Sequence, residues 1–190
     1  PYFIKLPWLN QQGETDNTPV TGTDFYPTIL DLVGAELRPA EHRDGVSLVP
    51  LLRGDTLGER SLIWHYPHYG NQGGRPSSII RRGPWKLIHY YSDSSEVLYN
   101  VEKEQDERHD MYGQYPQITE RLHKELFDYL AKTGARFPKK DPQYNAEKEQ
   151  KYLNSIEQNL LPRLEKQRMQ YLSPDFDPGN NWWGSQPKEE

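Results

Sequence analysis

Short apolar runs bounded by turn residues recur in the middle of the chain, and this pattern is typical of β-strands. The runs occupy residues 61–64, 78–81, 85–90 and 97–100. The turn Arg82-Gly83-Pro84 separates the second run from the third and predicts a hairpin. Because the strands are short and their connections are tight, we predict that they pair in antiparallel fashion.

After residue 115 the apolar residues are spaced as in a helix rather than as in a strand. Pro116 suits the first turn of a helix, and Gly134 can end it. The apolar residues that recur at a spacing near 3.6 are Ile118, Leu122, Leu126, Phe127 and Leu130. One helix that covers one face of a small antiparallel sheet is an α+β arrangement, which we predict for residues 61–134.

The first 60 residues carry a different pattern. The run Tyr2-Phe3-Ile4-Lys5-Leu6 predicts a strand of the kind that is buried on both faces of a parallel sheet. A helix is predicted next, with apolar positions Ile29, Leu30, Leu32 and Val33. Asp24 or Thr23 is its expected N-cap, and Gly34 stands where a left-handed C-cap is expected. Residues 36–60 are polar and contain Pro and Gly, so we predict a linker there.

Residues 135–190 are predicted to be a helical and irregular extension. Residues 146–158 are highly charged with a thin apolar stripe, and Pro162 breaks or restarts the helix. The last residues have no periodicity. The Trp182-Trp183 pair within them either stacks on a sugar face or packs against another part of the protein.

The composition of the chain argues against several kinds of binding partner and structure. With a net charge of −5 and an isoelectric point of 5.7, the chain has no electrostatic reason to bind nucleic acid. No run approaches the ~18 apolar residues that cross a bilayer, so no membrane span is predicted. The absence of Cys excludes disulfides and thiolate zinc sites. A mean hydropathy of −1.00 is low for a compact domain, so part of the chain is expected to be solvated or to complete its core elsewhere.

Five groups of residues follow one another in a distinctive order over roughly the first 131 positions. They are Pro19-Val20, Thr23-Asp24, Tyr26-Pro27-Thr28, Leu30 and Gly34; Asp44-Gly45-Val46-Ser47-Leu48, Pro50-Leu51-Leu52 and Gly54; Arg60 and Trp64-His65-Tyr66-Pro67-His68-Tyr69; Ile80-Arg81 and Gly83-Pro84-Trp85-Lys86-Leu87-Ile88; and Glu96 with Leu98-Tyr99-Asn100. This order resembles the C-terminal part of the type I, formylglycine-dependent sulfatases (arylsulfatases), which belong to the alkaline-phosphatase superfamily.

The resemblance implies a fold and a function. Residues 1–35 would be the last strand and helix of an alkaline-phosphatase-like α/β domain, and residues 61–134 the sulfatase C-terminal subdomain. The parent protein would be a sulfuric-ester hydrolase that acts on a sulfated sugar or glycan. Its partners would be that carbohydrate and, for this chain, the parent's N-terminal catalytic domain. The family also suggests a periplasmic or secreted location.

The groups that perform the chemistry in this family are missing from the chain. The formylglycine nucleophile is made from a Cys or Ser in a C/S-x-P-x-R motif, and no such motif is present. No run resembles the family's calcium-binding Asp and Asn residues, although clustered carboxylate and amide oxygens are what calcium requires. The family's catalytic Lys motif is also missing. We therefore predict no catalytic or metal-binding residue here, calcium ligands outside the chain, and no activity of the chain alone.

His65, His68 and Arg75 are the candidate substrate-binding residues. They flank a Gly- and Asn-rich loop at the end of a predicted strand, where sites are often found. Imidazoles can donate or accept hydrogen bonds near neutral pH, and an arginine can pair with a sulfate. The alternative is a structural aromatic cluster in which the histidines bind backbone groups. A zinc site is not predicted at this loop because no third ligand with suitable spacing is evident.

Two other functions are compatible with the residues. One is a non-catalytic carbohydrate-binding or interaction module with the same α+β core. The other is a phosphodiesterase or phosphonate hydrolase of the same superfamily. A C/S-x-P-x-R motif in the rest of the protein would distinguish a sulfatase from the non-catalytic module. The type of nucleophile there would distinguish it from the phosphodiesterase or phosphonate hydrolase.

Overall fold

Four strands form an antiparallel meander in which each strand pairs with its neighbour in sequence. In the computed structural model, which describes residues 2–8, 13–70 and 74–177, they are β1 (Ser61–Tyr66), β2 (Ser77–Arg82), β3 (Trp85–Tyr90) and β4 (Glu96–Asn100). The β2–β3 hairpin turns at Gly83-Pro84, with Arg82 opposite Trp85. The predicted strands and their antiparallel pairing are confirmed.

Helix α3 covers one face of this sheet. Two shorter helices precede it, α1 (Phe25–Leu32) and α2 (Val49–Leu52), and α3 itself spans Pro116–Lys132. The core between α3 and the sheet consists of Ile80, Leu87, Leu98, Leu122, Leu126 and Leu130, all at most 1% exposed. Because Leu122, Leu126 and Leu130 are periodic positions of the predicted helix and the other three residues lie in predicted strands, the α+β class and the predicted helix are confirmed.

The predicted strand at residues 2–6 does not form within this chain by itself. Within the described residues this segment has no strand partner, and Phe3 is 92% exposed. An apolar run of this type needs strands on both sides, because its side chains and its backbone groups are satisfied only inside a sheet.

Helix α1 also exposes apolar side chains. Phe25, Ile29 and Val33, which share one of its faces, are all exposed.

Asp24 occupies the predicted N-cap position of α1, but its side chain makes no capping hydrogen bond to the helix. A short 3₁₀ turn, Gly22–Asp24, leads directly into the helix. The Asp24 carboxylate instead accepts hydrogen bonds from the N–H groups of Thr21 (2.8 Å) and Val46 (3.0 Å). It also accepts two from the Arg60 guanidinium, at 2.7 and 2.6 Å. The left-handed C-cap is confirmed, since Gly34 has φ = 70°.

The segment 36–60 is packed against its neighbours around residues 45–49, whereas most of its other residues are exposed. Leu48 and Val49 are buried, and the Leu48 N–H donates to Thr28 Oγ1 at 2.9 Å. Gly45 lies so close to residues 23–24 that an added Cβ would stand 2.0 Å from the Thr23 carbonyl oxygen. Only glycine therefore fits here. The predicted domain limits of 1–35, 36–60, 61–134 and 135–190 stay predictions.

The chain divides into two compact units, residues 1–138 and 139–190. The second unit contains α4 (Ala146–Ser155), a π-helical stretch (Ile156–Leu160) and α5 (Leu161–Tyr171). None of these three elements has a buried residue. No helix in the described part of the chain is both long enough and apolar enough to cross a membrane.

Candidate functional site

His65 lies near the end of β1, with both ring nitrogens engaged. Its Nε2 is 3.0 Å from the Arg136 carbonyl oxygen, and its Nδ1 is 2.7 Å from Ser78 Oγ. Since a carbonyl oxygen can only accept, Nε2–H donates to it, and Nδ1 forms the second hydrogen bond, to the Ser78 hydroxyl. Ser78 in turn contacts the Tyr91 hydroxyl at 2.7 Å, and burial raises the pKa of Tyr91.

Aromatic rings surround this histidine. Its ring centroid lies 6.0 Å from that of Tyr91 and 5.9 Å from that of Phe137, both in edge-on geometry. Phe137 also stacks on Phe127 of α3, at 6.2 Å. This is the structural aromatic cluster that the sequence left open as an alternative for His65. His65 thus joins β1 to the segment that follows α3.

His68 follows the end of β1 and is exposed. Its ring meets the exposed ring of Tyr66 edge-on, with centroids 5.6 Å apart. Among residues 2–8, 13–70 and 74–177 the imidazole has no hydrogen-bond partner. Both ring nitrogens of His68 are therefore available to a ligand, which is a different situation from that of His65.

Arg75 precedes β2 and is half exposed. Its Nη1 donates to Asp93 Oδ2 at 2.7 Å, and its guanidinium carbon lies 3.8 Å from the centroid of the Tyr90 ring. Hydrogen bonds from Ser95, together with the Arg75 ion pair, lower the pKa of Asp93 to about 2. The charge of Arg75 is thus partly neutralised in the absence of a ligand.

The connection between β1 and β2 brings His68 and Arg75 to the same end of the sheet. Tyr66, Ser77 and Tyr90 lie in register across three strands at that end. The Gly70 N–H donates to the Gly74 carbonyl at 3.2 Å, which closes the base of the loop. Residues 71–73 of the predicted loop, and Trp182-Trp183, lie outside the described residues.

The sheet face opposite α3 carries a groove that sequence reasoning missed. The groove encloses 850 Å³, and its walls include Trp64, Ile79, Arg81 and Lys86. Lys86 Nζ forms an ion pair with Glu107, at 2.7 and 2.8 Å from its two carboxylate oxygens. Strand alternation could have identified this lining, because side chains two residues apart or paired across strands share a face. Trp and Arg side chains together can contact a sugar ring and an anionic substituent.

A second arrangement not predicted from sequence lies on the other face. Glu96 Oε1 is 2.9 Å from His89 Nδ1 and 2.6 Å from His123 Nδ1. The three side chains come from β3, β4 and α3. Sequence reasoning considered only the histidines near residue 65 as possible ligands. The sequence could not reveal this cluster, because His123 is far from the other two residues along the chain and only the tertiary fold brings them together.

Comparisons with known proteins match most of the chain. The family described as "N-sulphoglucosamine sulphohydrolase, C-terminal" matches residues 1–132. An N-acetylglucosamine-6-O-sulfatase of Bacteroides thetaiotaomicron is 30% identical over 148 residues, covering 75% of this chain and 26% of that protein. Arylsulfatase K of Mus musculus is 29% identical over 152 residues, covering 74% of this chain and 26% of that protein.

Solved structures give a similar result. The chain superposes on a candidate sulfatase from Bacteroides thetaiotaomicron with a TM-score of 0.50 and 28% identity, covering 63% of this chain and 27% of that one. The chain spans about a quarter of the length of the curated relatives that it matches.

Proposed function

Because this chain belongs to the N-sulphoglucosamine sulphohydrolase C-terminal family, we propose that it forms part of a sulfuric-ester hydrolase that acts on a sulfated sugar or glycan. The observation that carries the proposal is the family match over residues 1–132. Sulfatases from bacteria and from a mammal, similar to this chain over most of its length, support it.

The residues of this chain do not fit the calcium ion and the formylglycine that the family implies. No Cys is present, and no Ser begins the required motif. Within the described residues no three carboxylates lie close enough to form a calcium site. We propose that these groups belong to the remainder of the protein and that this chain alone does not release sulfate. Its contribution would be to position substrate.

The exposed apolar stripe of α1 is a proposed contact with that remainder. Phe25, Ile29 and Val33 are 47%, 54% and 71% exposed on one helix face. Such a stripe on an otherwise amphipathic helix is normally covered by a packed neighbour. The run 2–6 would complete a strand of the same neighbouring domain.

The substrate contacts are proposed at the β1–β2 end of the sheet. The ring nitrogens of His68 have no partner among the described residues, and Arg75 can exchange its exposed pair with Asp93 for a sulfate or a sugar acid. His65 was predicted as a direct contact as well. Its two internal hydrogen bonds favour a supporting role, in which it holds the start of the loop.

The test uses the protein that carries this chain and two substrates. Replacing His68 or Arg75 by Ala should lower kcat/KM roughly tenfold to a hundredfold on N-acetylglucosamine 6-sulfate, because a lost polar contact costs about 1–3 kcal/mol. A small aryl sulfate, which lacks the sugar, should be affected less. His109→Ala and Arg38→Ala are matched controls, since both residues lie exposed elsewhere. Equal losses on both substrates, with a lowered melting temperature, would contradict the assignment.

The second candidate is a non-catalytic carbohydrate-binding module, and the groove beside Trp64 favours it. In that case the isolated chain should bind N-acetylglucosamine 6-sulfate more tightly than N-acetylglucosamine, and Trp64→Ala should abolish binding. Calorimetric titration measures both. Sulfate release by the whole protein would favour the hydrolase, and turnover of a phosphonate ester in place of a sulfate ester would favour the phosphonate hydrolase alternative.

A further inference from the structure

We infer that His89, Glu96 and His123 form a binding site for a divalent transition-metal ion, and Zn²⁺ is the metal that we expect. One potential ligand atom from each residue lies within 4.8 Å of the other two. The two imidazole Nδ1 atoms converge on the same carboxylate oxygen, at 2.9 and 2.6 Å. This inference is independent of the proposed function, since it rests only on these three side chains.

The fold itself brings the ligands together. His89 and Glu96 face each other directly across the β3–β4 pair, on the side of the sheet that α3 covers. His123 lies one residue after the core residue Leu122, so the packing of α3 fixes its position above the other two. Ligands on rigid elements are held near their binding geometry without a separate ordering cost.

The distances suit zinc. Zn–N and Zn–O bonds of about 2.0–2.2 Å place neighbouring ligand atoms of a tetrahedral site about 3.3–3.5 Å apart. The present separations of 2.9 and 2.6 Å from Glu96 Oε1 would therefore open by less than about 1 Å. The side chain of His123 is 46% exposed, so it can make that adjustment.

The types of ligand atom at this site favour zinc over other divalent ions. Two imidazole nitrogens and one carboxylate oxygen form a zinc ligand set with a fourth position for water. Calcium and magnesium prefer oxygen ligands throughout, so they are disfavoured. In the metal-free form Glu96 accepts a hydrogen bond from each imidazole. Zinc would bind each ring at Nδ1 in place of that proton, and each neutral imidazole would then carry its proton on Nε2.

The surroundings hold the inner part of the site rigid. His89 and Glu96 are only 12% and 8% exposed. The His89 ring lies edge-on to Tyr91 and Phe127, with centroids 5.0 Å away in each case. The Phe127 ring also lies 4.5 Å from that of His123. The ion would thus tie α3 to β3 and β4, next to the aromatic cluster around His65.

The experiment titrates Zn²⁺ into the full, tag-free chain after removal of metals with a chelator. Calorimetry should give one ion per chain, and Co²⁺ used as a probe should give the visible absorption of a four-coordinate site. Zn²⁺ should also raise the melting temperature, because a ligand that binds only the folded state stabilises it.

Three variants decide the assignment. His123→Ala removes a half-exposed ligand and should weaken Zn²⁺ binding about a hundredfold or more, since loss of a group that only hydrogen-bonds to a metal ligand already costs about 10–100-fold. Glu96→Gln should do the same. His109→Ala is the matched control, because His109 also contacts a glutamate, Glu104, at 2.6 Å but lies outside the cluster. Wild-type affinity in His123→Ala, or no stoichiometric binding by the wild-type chain, would overturn the inference.

Discussion

Asp24 shows how one side chain can join three segments. It is fully buried and accepts hydrogen bonds from Thr21 before α1, from Val46 in the middle of the 36–60 segment and from Arg60, the residue that precedes β1. Burial alone would raise the pKa of this carboxyl, but the hydrogen bonds from Arg60, Val46 and Thr21 outweigh burial and hold the pKa below its usual value of 3.8. The carboxylate is therefore charged and paired in the folded state.

Replacing Arg60 by Met should cost about 3–5 kcal/mol of unfolding free energy at neutral pH, because a buried charge is left without its partner. Arg38→Met, which breaks an exposed pair with Glu41, should cost about 0–1 kcal/mol. Urea unfolding measures both.

The pH dependence has a definite sign. Since the pKa of Asp24 is lower in the folded state, its stabilisation is present above the ordinary value of 3.8 and is lost as the pH falls through the folded value. The difference between wild type and Arg60→Met should therefore shrink at acid pH. An unchanged difference would argue against the ion pair as the cause.

Local sequence signals predicted a position for the candidate site but not its internal contacts. Pro, Gly and the end of a predicted strand placed His65, His68 and Arg75 around one loop. The partners of His65, which are Ser78 and Arg136, depend on strand register and on where α3 ends. Those are tertiary properties, so sequence could not separate the engaged His65 from the exposed His68.

At the scale of elements, the periodic segments were predicted well. The strands and α3 each bury one face, and burial of one face imposes a period on the sequence. The run 2–6 has a strong apolar signal as well, yet no strand forms there. A strand requires a partner, and an apolar run by itself does not supply one.

The helix–sheet core allows a direct test. Leu126 is fully buried against the strands, so Leu126→Ala should destabilise the chain by about 2–5 kcal/mol through lost burial and the remaining cavity. Leu37→Ala removes the same atoms from a side chain that is 41% exposed and should cost far less. Thermal and urea unfolding followed by circular dichroism would compare them. Similar costs for the two variants would mean that α3 does not pack as described.

At the scale of the whole molecule, the two units make separate contributions to stability. Helices α4 and α5 bury no residue, whereas the first unit contains the whole apolar core cluster. Removal of residues 139–190 should therefore change the unfolding free energy of the first unit by no more than about 0.5 kcal/mol. The cut must retain Arg136 and Phe137, which contact His65. A loss of several kcal/mol on truncation at 138 would contradict this division.

The meander order of the sheet has a consequence for the route by which the chain folds. The connections between paired strands are residues 67–76, 83–84 and 91–95. Closing such short loops costs little chain entropy, and a fold dominated by nearby pairings tends to fold rapidly. The β2–β3 hairpin has the shortest connection, so we expect it to form first, with β1 and β4 adding to its two edges. All four strands therefore emerge from the ribosome before α3 does, and the nascent sheet must wait for that helix with its apolar face open to water.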